Sequence, residues 1–166
     1  LLKQHPAPLL EQLSHERPFI GFSHAASGDA RNCVYEEYEA ILELGRQKKR
    51  FKDKPEIMAA QITRYREAGY PEQNGLIKSG MLIRKHGHPQ LEQLMEAWWH
   101  EVLNFSKRHQ LSFDYVAWKQ GFKPYYLHED ARDNAYFKLL GSHRKSYRWK
   151  HTRYRLKNWW QAWRKG

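Results

Sequence analysis

RPFIGFSHAASGDARNCVYEEYEAILELG, residues 17–45, carries a strand, a turn and a helix in immediate succession and sets the fold class. RPFIGFSH at 17–24 reads as a buried strand, an unbroken apolar run of strand length. SGDARN at 27–32 is turn-rich. Beyond it Tyr35, Tyr38, Ile41, Leu42 and Gly45 mark a helix that runs into the basic cluster QKKRFKDK, most simply a solvated helix end.

Outward from that unit the same alternation continues. Upstream, Pro6 and Pro8 precede Leu9, Leu10 and Leu13, which predicts a short helix opened by proline and ending near His15. Downstream, Pro55 restarts the chain, and Ile57, Met58, Ile62 and Tyr65 carry a helix to Gly69, followed by the polar loop YPEQNG. MLIR at 81–84 reads as a strand. From Pro89 to Phe105, the residues Leu91, Leu94, Met95, Trp98, Trp99, Val102 and Leu103 form a wide apolar helical face. A second helix is predicted from Gln110 to Gln120, ended by Gly121. FKPYYL at 122–127 then reads as a strand in which Pro124 marks an edge or an end. Helices alternating with strands indicate an α/β domain.

A chain of 166 residues with 40% hydrophobic content is long enough to bury one ordinary core. Aromatics reach 14%, which favours flat apolar platforms of the kind that stack on sugars, bases or membrane interfaces. The net charge of +11 predicts attraction to phosphate-bearing partners: nucleotide-sugars, nucleic acids or an anionic membrane face. Cys33 is the single cysteine, so an internal disulfide framework and a cysteine-built zinc site are excluded. No apolar run has the length of a membrane span, and the first residues lack the pattern of a secretory leader. Because the chain begins at Leu1 without methionine, an upstream segment is expected.

Four segments place uncommon polar residues among apolar ones. In NGLIKSGMLIRKH, residues 74–86, Asn74 and Ser79 offer hydrogen bonds suited to a sugar hydroxyl, and Gly80 permits close approach. A turn pattern explains half of this equally well. In RNCVYEE, residues 31–37, Arg31 is a candidate clamp for phosphate or carboxylate. Glu36 is the candidate general base ahead of Glu37, although acids in a first helical turn are favoured by the dipole alone. KRHQLSF, residues 107–113, sets Arg108, His109, Gln110 and Ser112 at a helix start, where they could meet a diphosphate or sugar; His109 reads equally as a surface residue. RDNAYFKLLGSH, residues 132–143, ends on His143, a candidate metal ligand in a chain of ten histidines.

In order, these segments resemble the plant mucilage-type (MUCI-type) glycosyltransferase-like family and its bacterial relatives. The matching positions are His24; Arg31, Cys33, Tyr35, Glu36 and Glu37; Pro71, Asn74, Gly75 and Leu76; Arg84 and His86; Trp98 and Trp99; and Gln110, Leu111, Ser112 and Phe113. The resemblance runs from His24 to about His143. It implies a partial GT-A-like, Rossmann-like domain lacking its N-terminal nucleotide-binding strands, with Leu1 just past the Asp-x-Asp motif that holds a divalent cation in such enzymes. No Asp-x-Asp occurs in the chain. The complete protein would use a nucleotide-sugar with Mn²⁺ or Mg²⁺ and pass the sugar to a glycan acceptor. SGMLIR at 79–84, including Arg84, would line the sugar and acceptor side, His109 and Gln110 would face the donor sugar, and His143 would supply the late metal-binding histidine. Asn32 stands where the family usually has Asp, and His109 replaces the Asp before Gln-Leu-Ser; a histidine cannot act like a carboxylate toward a developing positive charge.

The expected organisation is therefore a transferase part over 1–143 and a basic, Trp-rich tail over 144–166. From His143 onward there is no acid, and Trp149, Leu156, Trp160 and Trp163 fall on one helical face among lysines and arginines. Such a helix suits an anionic membrane surface, giving a cytoplasmic, peripheral position; packing onto the domain accounts for the stripe equally well. Two other functions compete with sugar transfer. One is a nucleic-acid-binding module in which tail cations track phosphates and aromatics stack on bases. The other is a non-catalytic transferase-like domain that binds glycans or partners.

Overall fold

The computed structural model of the protein describes residues 1–26 and 30–139, together with Thr152, Leu156, Lys157 and Trp160. His143, much of the SGDARN turn and most of the basic tail lie outside the described residues. The chain divides into two compact units, one over Ala7–Ala131 and one joining Leu1–Pro6 to Arg132–Gly166.

In the larger unit the elements run α1 (Ala7–Leu10), β1 (Phe19–Phe22), a 3-10 turn (His24–Ala26), α2 (Val34–Gln47), α3 (Pro55–Glu67), β2 (Ile83–Arg84), α4 (Pro89–Asn104), a second 3-10 turn (His109–Leu111), α5 (Phe113–Lys119) and β3 (Tyr125–Leu127). The three strands form one sheet in the order β2-β1-β3. β1 is central and buried at all four residues, as its unbroken apolar run predicts. It pairs antiparallel with β2, Ile20 opposite Ile83, and parallel with β3, Gly21 opposite Tyr126. Gly21 fits that neighbour closely: a Cβ there would stand 3.0 Å from the Tyr126 ring and 3.1 Å from that of Phe19, so one of the rings would have to shift. β3 is an edge strand that begins directly after Pro124, where a missing N–H interrupts no ladder.

Two expected helices are shorter than their spacing implies. α1 is a single turn rather than a helix to His15, because Ser14 closes a turn with Arg17: its amide donates to the Arg17 carbonyl at 3.1 Å, and its hydroxyl accepts the Arg17 amide at 3.0 Å. The predicted 110–120 helix divides at Ser112, whose hydroxyl donates to the His109 carbonyl at 3.1 Å, with Gln110 and Leu111 in the 3-10 turn His109–Leu111 before it. α4 has the expected extent, but its apolar face is used unevenly. Leu91 and Leu94 are buried, Met95 and Trp98 are partly covered, and Trp99 and Leu103 stay exposed.

Tyrosines dominate the core. Tyr65 and Tyr115 stack at 3.7 Å between ring centroids, and Tyr70 meets both edge-on. Each buried phenol needs a polar partner. Tyr35 donates to the Tyr70 carbonyl at 2.8 Å, and Tyr65 donates to Glu101 at 3.1 Å. Glu101 in turn pairs with Arg64 at 2.5 Å. Burial, reinforced by Glu101, raises the Tyr65 pKa far above the ordinary phenol range, so it serves as a fixed donor. Tyr35, Tyr65, Tyr70 and Tyr115 are thus core residues rather than the ligand platforms that composition alone favours.

In the smaller unit Leu2 bridges Phe137 and Asp133 bridges Lys138. Asn134 shapes that turn by accepting the amides of Tyr136 and Phe137 at 2.9 and 3.1 Å, and Lys3 pairs with Asp133 at 2.6 Å.

Candidate functional site

The three segments RNCVYEE, NGLIKSG and KRHQLSF meet around Glu37. Arg31 Nε donates to Glu37 Oε2 at 2.7 Å, and Arg108 Nη2 stands 3.7 Å from Glu37 Oε1. Arg31 Nη2 also lies 3.1 Å from Nε2 of buried His24. Guanidinium groups only donate, so that ring nitrogen accepts and carries no proton. The His24 amide donates to the Leu76 carbonyl at 2.8 Å, and the Gly75 amide to the Asn32 carbonyl at 3.1 Å, which ties in the third segment.

Beside this group lies a cavity of 260 Å³ lined by Lys52, Lys107, Arg108, His109 and Gln110. Its wall is built by Asp53, which accepts the Ser106 hydroxyl at 2.7 Å and the Lys107 amide at 2.9 Å, while the Ser106 oxygen accepts the Arg108 amide at 3.1 Å. Burial opposes ionisation of Asp53, but the bonds from Ser106, Lys54 and Lys107 outweigh it and hold its pKa below the usual range. On the other side Trp98 Nε1 donates to the His109 carbonyl at 3.0 Å and to the Ser112 hydroxyl at 3.1 Å. Gln110 Nε2 is a buried donor with no hydrogen-bond partner among the described residues. His109 is exposed, yet partial desolvation and then the Arg108 charge lower its pKa, which favours the neutral imidazole near pH 7.

A second cavity, of 380 Å³, opens between α5 and β3, with Asn74, Gly75, Asp114, Trp118, Lys123 and Tyr126 on its wall. Asp114 is 3% exposed. It accepts the Tyr126 hydroxyl at 2.5 Å and the Ile77 amide at 2.9 Å. Burial raises its pKa to about 6 against the pull of those two bonds. Asn74, itself exposed, reaches the Tyr70 hydroxyl at 3.4 Å.

The remaining predicted positions are dispersed. Glu36 is exposed and accepts the Asn32 amide at 3.0 Å and Gln73 Nε2 at 2.8 Å; these bonds lower its pKa. Ser112 is fully buried and its hydroxyl is engaged by Trp98 and His109. Ser79 is half-buried and Gly80 exposed, and a Cβ on Gly80 would meet no atom of the described residues within 4 Å, so no close approach among them demands a glycine there. Arg84 is exposed at a separate depression, 3.4 Å from the Met95 sulfur. Sequence reasoning missed Asp114, Lys52 and Tyr126. The one signal for Asp114 was an acid inside the apolar run FDYVAW.

Among the described residues no three acids, histidines or cysteines cluster as a metal site requires. The Mn²⁺ or Mg²⁺ implied by the resemblance therefore finds no fitting ligand set there, and His143 lies outside them. Among the same residues no helix is long and apolar enough to cross a membrane.

A family model described as TOD1/MUCI70, glycosyltransferase-like domain, matches residues 2–139. No curated protein and no solved structure matches the chain. The family match covers the segments that build both cavities, and the chain belongs to the TOD1/MUCI70 glycosyltransferase-like family.

Proposed function

We propose that the protein takes part in transfer of a sugar from a nucleotide-sugar to a hydroxyl of a glycan acceptor. The observation that carries this reading is the 260 Å³ cavity, lined by three cations and by Gln110, whose buried amide nitrogen has no partner among the described residues. Lys52, Lys107 and Arg108 offer charge-assisted bonds to a diphosphate, and Gln110 Nε2 supplies a donor for a sugar oxygen. Arg31 and Glu37 fix the Arg108 guanidinium from behind.

In this reading the acceptor oxygen bonds to the anomeric carbon as the bond from that carbon to the diphosphate oxygen breaks. The three cations stabilise the electron pair left on the diphosphate. Neutral His109, with its pKa below the usual histidine range, takes the hydroxyl proton at neutral pH. Glu36 fits that role less well, since a carboxylate held below its usual pKa is a weak base; it holds the start of α2 instead. Ser112 is a positioning residue for His109. Ser79, Gly80 and Arg84 are assigned to the acceptor side on the family resemblance, as are His143 and the divalent cation to the complete site, while Asn74 is kept as a hydrogen-bonding partner for a sugar hydroxyl. The GT-A-like architecture and the membrane-peripheral position given to residues 144–166 rest on sequence alone.

Calorimetric titration of the full chain with UDP, GDP and their sugar conjugates, with and without Mn²⁺, tests the proposal. Binding of at least one that Arg108→Ala weakens by about tenfold or more is expected. Absence of any nucleoside diphosphate binding would overturn it. So would binding of single-stranded nucleic acid alone, collapsing steeply with salt and lost on removal of residues 144–166.

A further inference from the structure

We infer that the 380 Å³ cavity between α5 and β3 is a binding pocket for an uncharged sugar ring, with Trp118 as its platform and Asn74 and Asp114 as its hydrogen-bonding partners. Its identification as the acceptor subsite rests on the transferase reading; the pocket itself does not. The volume lies at the low end for small-molecule pockets, which fits one or two rings rather than a whole nucleotide-sugar.

The composition of the wall decides the ligand class. Trp118 is one of its larger apolar surfaces, 36% exposed and braced by Tyr70 at 5.3 Å and Tyr115 at 5.9 Å between centroids, so the indole is held as a rigid plate. A sugar ring presents a flat C–H face that such a plate covers. Around it stand an amide that both donates and accepts and a carboxylate that only accepts, matched to hydroxyls that do both. Bonds from Tyr126 to Oδ1 and from the Ile77 amide to Oδ2 fix the carboxylate, and its further lone pairs can accept from a ligand hydroxyl.

Charge separates this cavity from its neighbour. Lys123 and Asp114 balance one another here, whereas Lys52, Lys107 and Arg108 line the other cavity, with Asp53 behind them engaged by Ser106 and the Lys107 amide. A balanced wall gives no net attraction to phosphate and suits a neutral ligand. Gly75, on the wall, takes with φ of 89° a backbone conformation that favours glycine, and a Cβ there would stand in ordinary contact with Tyr126 at 3.8 Å and Asp114 Oδ1 at 4.0 Å.

The test is saturation-transfer difference NMR of the full chain with methyl glycosides of the common hexoses, pentoses and their N-acetyl forms, alongside uridine and guanosine. Transfer to at least one glycoside is expected, weakened about tenfold by Asn74→Ala and abolished by Trp118→Ala. Asn74 is exposed, so its variant keeps the test independent of any folding defect from Trp118. No transfer to any glycoside, or transfer untouched by both pocket variants, overturns the proposal. Saturation of the nucleosides in place of the glycosides, sensitive to Trp118→Ala, also overturns it and makes this a base pocket. Glycoside binding without nucleoside diphosphate binding preserves the pocket and removes the transferase reading; the converse removes the pocket alone.

Discussion

Glu36 and Glu37 are neighbours in the chain with opposite surroundings. Glu36 is exposed and holds the Asn32 amide and Gln73, whereas Glu37 is 4% exposed and holds Arg31 at 2.7 Å beside Arg108. Periodicity alone puts both acids in the first turn of α2; only packing distinguishes them. Glu36→Ala should cost about 1 kcal/mol or less, the scale of surface hydrogen bonds, and leave UDP and GDP binding intact. Glu37→Gln should cost about 3 kcal/mol and weaken that binding, because two guanidinium groups lose their common anchor. Urea unfolding and calorimetry read the two effects, and equal losses in both variants would refute the division of roles.

Trp98 makes a second prediction. Its indole N–H reaches the His109 carbonyl and the Ser112 hydroxyl, so it braces the cavity-lining turn from α4. Trp98→Phe keeps most of the packing against Phe113 but removes the indole N–H, so the His109 carbonyl is left with its bonds from Ser112 and the Ser112 hydroxyl loses its donor from α4. A loss of about 1–2 kcal/mol in stability is expected, together with weaker nucleoside diphosphate binding. Unchanged binding in a stable variant would show that the turn needs no brace.

What the sequence made legible was local. The apolar run of β1, the helical spacing of α2 to α4 and Pro124 at the sheet edge each declare themselves within a few residues. The parallel pairing of β1 with β3 joins residues about a hundred positions apart, and no local pattern encodes it. The same limit hid Lys52, which looked like part of a solvated basic run yet faces Arg108 and His109 across a cavity. It hid Asp114 too, since a lone acid in an apolar helix gives no sign of which amide or phenol will receive it. Of the residues the motifs singled out, His109 and Gln110 line one cavity, Arg31 is paired with Glu37 beside it, and Ser112 is engaged in internal bonds.

Asp114 also makes stability depend on pH. Its folded pKa of about 6 lies above the ordinary 3.8, so the folded state holds the proton more tightly than the unfolded chain. The associated stabilisation is complete below the unfolded value and is lost as pH rises through the folded one. The span corresponds to about 3 kcal/mol. Asp114→Asn removes the titration while its amide oxygen can still accept from Tyr126. The variant should therefore gain on the wild type by up to about 3 kcal/mol between about pH 4 and about pH 7 in paired urea titrations. A wild-type-to-variant difference that stays constant across that interval would contradict the assignment.

His109 gives the most direct test of chemistry. As the proton acceptor it must be unprotonated, so kcat should fall on the acid side, with a midpoint below the ordinary histidine value of 6.5 because desolvation and Arg108 both disfavour the cation. Arg108→Gln removes the second of these influences and should move the midpoint upward, whatever it does to KM. His109→Ala should lower kcat by about 10²- to 10⁴-fold, the usual worth of a general base. His109→Asp should shift the acid limb downward toward the carboxylate range while retaining turnover, because a carboxylate takes the proton from the same position. A midpoint that stays put in both the Arg108 and the Asp variants would place the titrating base elsewhere and remove His109 from the mechanism.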